Sequence, residues 1–242
     1  MLRHLLALSA LLLFTLCACS KEETPVPPAT APATVPADAA EATAPGPPVR
    51  ETFDGEPQLS LFPRTGSYRP EDDDKDGSSY WIAFIDHILR TSGMRPGAGR
   101  DGSKGWEIHG IKGLESVAFF APLGVKPATT YRISFDFQGE LPKGASAGLG
   151  ALEFDKFLWI GDQFPKSLVE QHQTAHYPGV TLKGKNPWKS HAFTVTTSAR
   201  GAMLHLILFR DGPMDRQKPV FFDNIVIEEA VAAATPPVTQ KG

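Results

Sequence analysis

The chain has 242 residues, 41% hydrophobic and 21% charged, with a formal net charge of −3. That near-balance supplies no electrostatic reason for nucleic acid or an anionic membrane surface to be a partner. Its cysteines, Cys17 and Cys19, both fall at the N-terminus, so the rest of the chain has no disulfide, thiolate metal site or cysteine nucleophile.

Arg3 and His4 lead into an apolar, Leu-rich block that ends at Leu16-Cys17-Ala18-Cys19-Ser20. The block is too short for a permanent membrane span, and the small residues before Cys19 suit a signal peptidase. This stretch resembles the lipobox signal of bacterial lipoproteins. The resemblance implies that residues 1–18 are a cleaved signal peptide and that Cys19 is lipidated, with palmitate among its acyl chains. More than one chain meets the requirement for stable anchoring. Ser20, rather than Asp, after the lipidated cysteine favours the cell outer membrane in a Gram-negative host. The alternative is an ordinary secretory signal with a chance cysteine.

Residues 19–50 are rich in Pro, Ala and Thr and poor in large apolar side chains, so they cannot offset the entropy cost of folding. They read as a tether, extended by polyproline conformations at about 3.1 Å per residue. Residues 230–242 read as a disordered tail. Residues 51–229 have the size of one domain.

Within that domain Leu59 to Phe62, Gly105 to Ile108 and Val117 to Phe120 are the first strand candidates. Tyr131-Arg132-Ile133-Ser134-Phe135-Asp136-Phe137 alternates apolar and polar residues, as a strand with one buried face does. Gly148 to Phe154, His191 to Thr196, Met203 to Phe209 and Val220 to Ile227 follow at a spacing that predicts an all-β antiparallel sandwich. One or two short helices are expected in loop insertions. Ser167-Leu168-Val169-Glu170 has capping-box spacing and predicts a helix through about Ala175. Trp81, Phe84, Ile85, Ile88 and Leu89 share a helical face, although Tyr80 to Ile85 would serve equally as a strand.

The order of these features resembles the galactose-binding-like jelly roll of family 4/9/22-type carbohydrate-binding modules. Phe53-Asp54-Gly55 is similar to the opening Phe-Glu-x-Gly of that family, and Gly102-Ser103 with Trp106-Glu107-Ile108 to its Gly-rich turn and strand. Pro127 to Phe135 resembles its Pro-Gly-Thr-x-Tyr-x-Leu-Ser segment. Trp188 precedes the next strand, and Phe222-Asp223-Asn224-Ile225-Val226-Ile227 matches its terminal Phe-Asp-Asp/Asn-Val-x-Leu. Pro63 to Gly99 and Gly161 to Lys185 are longer than the family pattern. The resemblance implies a glycan or polysaccharide ligand, and a structural calcium for which Asp54 and Asp223 occupy the carboxylate positions.

Sugars are held by flat aromatic faces flanked by hydrogen-bonding groups. Tyr80, Trp81, Trp159 and Tyr177 are the aromatic candidates, with Asp155, Gln163 and Arg210 as polar partners. Core packing is the competing role for each aromatic and the expected one for Trp106 and Trp188. Asp72-x-Asp74-x-Asp76-Gly77 reproduces the first half of a calcium loop, but position twelve is Ala83 rather than Glu, which argues against an EF-hand and favours a plain solvated acidic loop over a partial site. His172 and His176 would share a face of the Ser167 helix. Glu153 and Asp155 would share a strand face, similar to the Glu-x-Asp-x-x-Glu catalytic strand of jelly-roll glucanases, but Leu158 replaces the third acid. No catalytic residues are assigned.

These readings converge on a membrane-anchored, non-catalytic carbohydrate-binding protein of the cell envelope. The alternative is an assembly lipoprotein docking an envelope protein through Gly161 to Lys185, with Phe164, Leu168 and Val169 as the apolar contact. A polysaccharide-degrading enzyme is the third possibility.

Overall fold

The computed structural model describes residues 46–66, 81–82, 90–112, 114, 116–158, 163–164, 167, 171–213 and 218–230. All lie in one compact unit, Ala42–Gly242. In chain order the strands are β1 (Val49–Glu51), β2 (Phe62–Gly66), β3 (Trp81–Ile82), β4 (Gly93–Arg95), β5 (Gly105–Ile108), β6 (Ser116–Gly124) and β7 (Thr130–Glu140). They continue as β8 (Ser146–Phe154), β9 (Gln163–Phe164), β10 (Gln173–Leu182), β11 (Lys185–Thr196), β12 (Met203–Asp211) and β13 (Val220–Glu229).

These strands form two sheets with antiparallel pairings, so the expected all-β sandwich is the observed fold. A six-stranded sheet runs β11-β7-β13-β5-β4 with β1 also on β13, and a seven-stranded sheet runs β10-β8-β12-β6-β2-β3-β9. Alternation along β7 explains the seam. Tyr131, Ile133, Phe135 and Phe137 point inward against Phe119 and Leu123 of β6, Leu149 of β8 and Leu206 and Leu208 of β12, within one buried cluster.

The seven-stranded sheet departs from simple alternation because β12 is buried on both faces. Its outward Met203, Ile207 and Phe209 join Ala118, Phe120, Leu152, Phe154 and Leu158 in a second apolar cluster. A strand with both faces covered reads as the continuous apolar run that Met203 to Phe209 is.

Two expectations require correction, and one alternative left open is narrowed. The first β2 candidate, Leu59 to Phe62, lies earlier than the strand, which begins at Phe62. Helix is described at Ser167, Gln171 and His172, and Gln173 to Leu182 form the edge strand β10 where the helix was expected to run on to Ala175. Of the two readings left open for Tyr80 to Leu89, Trp81 and Ile82 take the strand, between β2 and β9; Arg90 and Thr91 after it are helical, residues 83–89 being outside the described residues. Among the described residues no helix is long and apolar enough to cross a membrane.

Candidate functional site

Several candidates, Cys19, Asp72, Asp74, Asp76, Tyr80 and Trp159, lie outside the described residues, as do Leu168 and Val169. Trp81, Gln163 and Phe164 are placed by backbone only: Trp81 pairs with Phe164, and Gln163 with Ile82. Arg210 is fully buried on the inner side of β12, beside Leu206 and Leu208, not on a surface a sugar reaches. His172 ends a helical turn while His176 is on β10, so the two do not share a helical face.

The Glu153/Asp155 pair also separates. Strand β8 stops at Phe154, which leaves Glu153 at 0% exposure inside the sandwich mouth and Asp155 in the following bend. Glu153 accepts from Thr174 Oγ1 at 2.5 Å, Tyr177 Oη at 2.7 Å and the Ser198 N–H at 3.1 Å. Burial alone would raise its pKa, but the donors from Ser198, Thr174 and Tyr177 together hold it below the ordinary glutamate value. A carboxylate so fixed in its ionised state is a structural clasp. Tyr177 Oη also lies 2.6 Å from the Thr196 carbonyl. Burial, then the Glu153 charge, push its phenol pKa well up, and the ring packs on the main core. Asp155 is tied to His172 at 3.1 Å and Arg200 at 3.5 Å.

The outer face of the seven-stranded sheet is closed by its second apolar cluster, with His205 buried between Phe120 and Phe154. The outer face of the six-stranded sheet is different. The register aligns Glu107 of β5, Phe221 of β13 and Gln138 of β7 in one cross-strand row. Beyond Gln138, β11 bulges between Asn186 and Lys189, and this bulge carries Trp188. Trp188 belongs to neither apolar cluster and is half-exposed, as are Phe221 and Gln138, contrary to the core role expected for Trp188. Trp106 does pack on the core, against Phe119 at 4.9 Å.

The neighbouring row on this face is polar: Asp223 of β13, Asp136 of β7 and Ser190 of β11. Asp136 accepts from Ser190 Oγ, from Asn224 Nδ2 at 3.0 Å and from Arg100 Nη1 at 3.2 Å. Burial works against its charge, but these three donors prevail and its pKa is lowered. Sequence reasoning missed this face. The alternation of β7 that marks Phe135 and Phe137 as inward also marks Asp136 and Gln138 as outward, and Pro187 before Trp188 is a bulge signal.

A small apolar cavity of about 170 Å³, lined by Phe53, Leu59, Met94 and Trp106 among others, opens beside β4. It is below the size usual for a ligand pocket.

The residues implied for calcium meet at one loop, Gly99 to Lys104. Asp223 Oδ2 accepts the Arg100 N–H at 2.8 Å and Ser103 Oγ at 3.1 Å, and its Oδ1 the Asn224 N–H at 2.7 Å. Asp54 Oδ1 accepts the Lys104 N–H at 2.9 Å. Buried Glu51 nearby in the chain accepts the N–H groups of Phe53, Gln58 and Leu59. These carboxylates face backbone and hydroxyl donors, and among the described residues no group of three or more His, Cys, Asp or Glu side chains could hold a metal. The donor set does not fit a calcium ion.

No protein-family model matches the chain, and no curated protein does. Solved structures resemble it. The CBM22-1–GH10 modules of a Clostridium thermocellum endo-1,4-β-D-xylanase, complexed with xylohexaose, are 13% identical with a TM-score of 0.46 over 77% of this chain. The chain spans 30% of that structure's length. The CBM22-1 xylan-binding domain of Paenibacillus barcinonensis Xyn10C is 13% identical (TM-score 0.38; 79% of this chain, all of the other). A family 4 carbohydrate-binding module is 19% identical (TM-score 0.38; 58% and 80%). These likenesses concern the sandwich fold alone.

Proposed function

We propose that the chain is a lipid-anchored, non-catalytic glycan-binding module of the bacterial cell envelope, using the outer face of the six-stranded sheet. The observation that carries this reading is the half-exposed Trp188, displayed on a bulge beside Gln138 and Phe221 and next to the polar row Ser190, Asp136 and Asp223. An indole outside any core supplies an apolar face for sugar C–H groups, and fixed amide, hydroxyl and guanidinium groups beside it satisfy hydroxyls. Phe221 and the bulge are two strands apart, about 10 Å at the usual strand spacing, a stretch that suits an oligosaccharide rather than one ring.

Two further features support the reading. Glu153, one of the two acids of the glucanase-like strand pattern, is enclosed and hydrogen-bonded, which suits a module without hydrolytic chemistry. The chain enters the sandwich at Val49, paired with Ile227 at one end, whereas Trp188 lies toward the other end of β11, near the Lys185–Glu140 pairing. The platform therefore stands away from the end at which the chain enters the sandwich.

Glycan-array binding by the purified full chain tests this. Saturable binding that Trp188→Ala abolishes is the expected result; no binding by folded protein refutes the reading.

A further inference from the structure

Asp136 and Asp223 are direct cross-strand partners on the same face, at 5% and 1% exposure. Like charges placed so close, away from water, oppose each other and need a counter-charge. Asp223 shows the strain: burial raises its carboxyl pKa, Asp136 adds to the rise, and the N–H groups of Arg100 and Asn224 with the Ser103 hydroxyl offset part of it.

The counter-charge present is Arg100. Its backbone N–H donates to Asp223, and its Nη1 reaches both Asp136 at 3.2 Å and Ser190 Oγ at 3.3 Å. One residue therefore touches both members of the pair. The 3-10 turn Arg100–Gly102 that presents it passes through Asp101 in the left-handed region, φ 60°. Asp54 grips the far end of the same loop through Lys104. A hard cation beside Asp223 would have to displace the N–H and O–H donors now aimed at its oxygens, and would meet a guanidinium held against Asp136.

We infer that Arg100 is the resident cation of this carboxylate pair, so that this end of the sheet closes, and the glycan face beside it operates, without calcium. The closure stands on the geometry above; the second clause rests on the glycan reading. The Arg100 side chain is 41% exposed next to Ser190, so the guanidinium that balances the pair also borders the Trp188 platform.

Thermal melting of the purified full chain separates the two. Wild type is expected to melt at the same temperature in EDTA and in millimolar calcium chloride. Arg100→Ala is expected to melt about 2–4 °C lower, the shift that a partly exposed charged contact gives at this size, with Arg100→Lys recovering part of it. Calcium is expected to raise the melting temperature of Arg100→Ala alone, because the bared pair then attracts a cation. A wild-type melting temperature that falls in EDTA, or saturable calcium heat in calorimetry of wild type, overturns the inference. If Arg100→Ala fails to fold, the wild-type comparison still decides. These readouts use no glycan, so loss of the glycan reading leaves them intact; where xylohexaose or another array glycan binds, retention is expected to be unchanged by EDTA.

Discussion

Glu153 and Tyr177 meet at the open end of the sandwich, with Tyr177 Oη 2.7 Å from Glu153 Oε2. Through this contact one carboxylate joins β8 to β10, and its Ser198 bond adds the turn between β11 and β12. Losing a charged acceptor that serves three donors leaves them unsatisfied, so Glu153→Ala is expected to cost about 3 kcal/mol and Tyr177→Phe about 1–2 kcal/mol. Urea denaturation measures both. A neutral Glu153→Ala contradicts the structural role and reopens a catalytic one.

Acid sensitivity follows from the same group. Glu153 and Asp136 both have carboxyl pKa values below their ordinary ones. The unfolded chain therefore takes up these protons first, and the stability they contribute is complete above the ordinary carboxylate values and lost as pH falls through the folded ones. Asp223 acts in the opposite sense, its raised pKa costing stability as pH rises through it. Melting temperature measured from pH 7 to pH 3 is expected to fall on the acid limb, and less steeply for Glu153→Gln.

His205 contributes a second pH dependence at a higher range. Burial, then the charge of Arg64, bring its pKa down from 6.5 to about 3. For a base with a depressed folded pKa, stability is full above the unfolded value of 6.5 and declines as pH falls toward the folded value. His205→Leu is expected to flatten the stability profile between pH 6 and pH 4, read by urea midpoints. An unchanged slope contradicts the assignment.

The pairing of β8 with β10 depends on two glycines. A Cβ on Gly148 would sit 1.9 Å from the Val180 carbonyl oxygen, and one on Gly179, at φ +60°, 2.1 Å from the Leu149 carbonyl oxygen. Both obstacles are backbone, so neither can step aside. Gly148→Ala and Gly179→Ala are each expected to destabilise by about 2–3 kcal/mol by forcing the strands apart. Chemical denaturation of the two variants checks this.

Much of the sandwich was legible because hydrophobic patterning is local. Tyr131 to Phe137, Gly105 to Ile108 and Met203 to Phe209 fall inside observed strands β7, β5 and β12. Strand β10 was not, since its residues are half or fully exposed, it contains Pro178 and Gly179, and a capping-box pattern lies just upstream. The candidate site was read least well. Arg210 looks like a polar ligand group in sequence, but whether its strand position faces inward depends on pairing with β6 and β8. Trp188 looks like a core residue until the bulge opposite Gln138 lifts it out of register. Such facts are set by long-range pairing, of which Pro187 before Trp188 is the local trace.

The most direct measurement is glycan-array binding by wild type, Trp188→Ala and Trp106→Ala. Saturable wild-type binding is expected, with at least a tenfold loss for Trp188→Ala, equivalent to about 1.4 kcal/mol of stacking. Trp106→Ala, a core change, is expected to lower stability while leaving the affinity of the folded fraction intact. A folded wild type that binds no glycan, or a Trp188→Ala protein that binds as tightly as wild type, rules out the Trp188 platform.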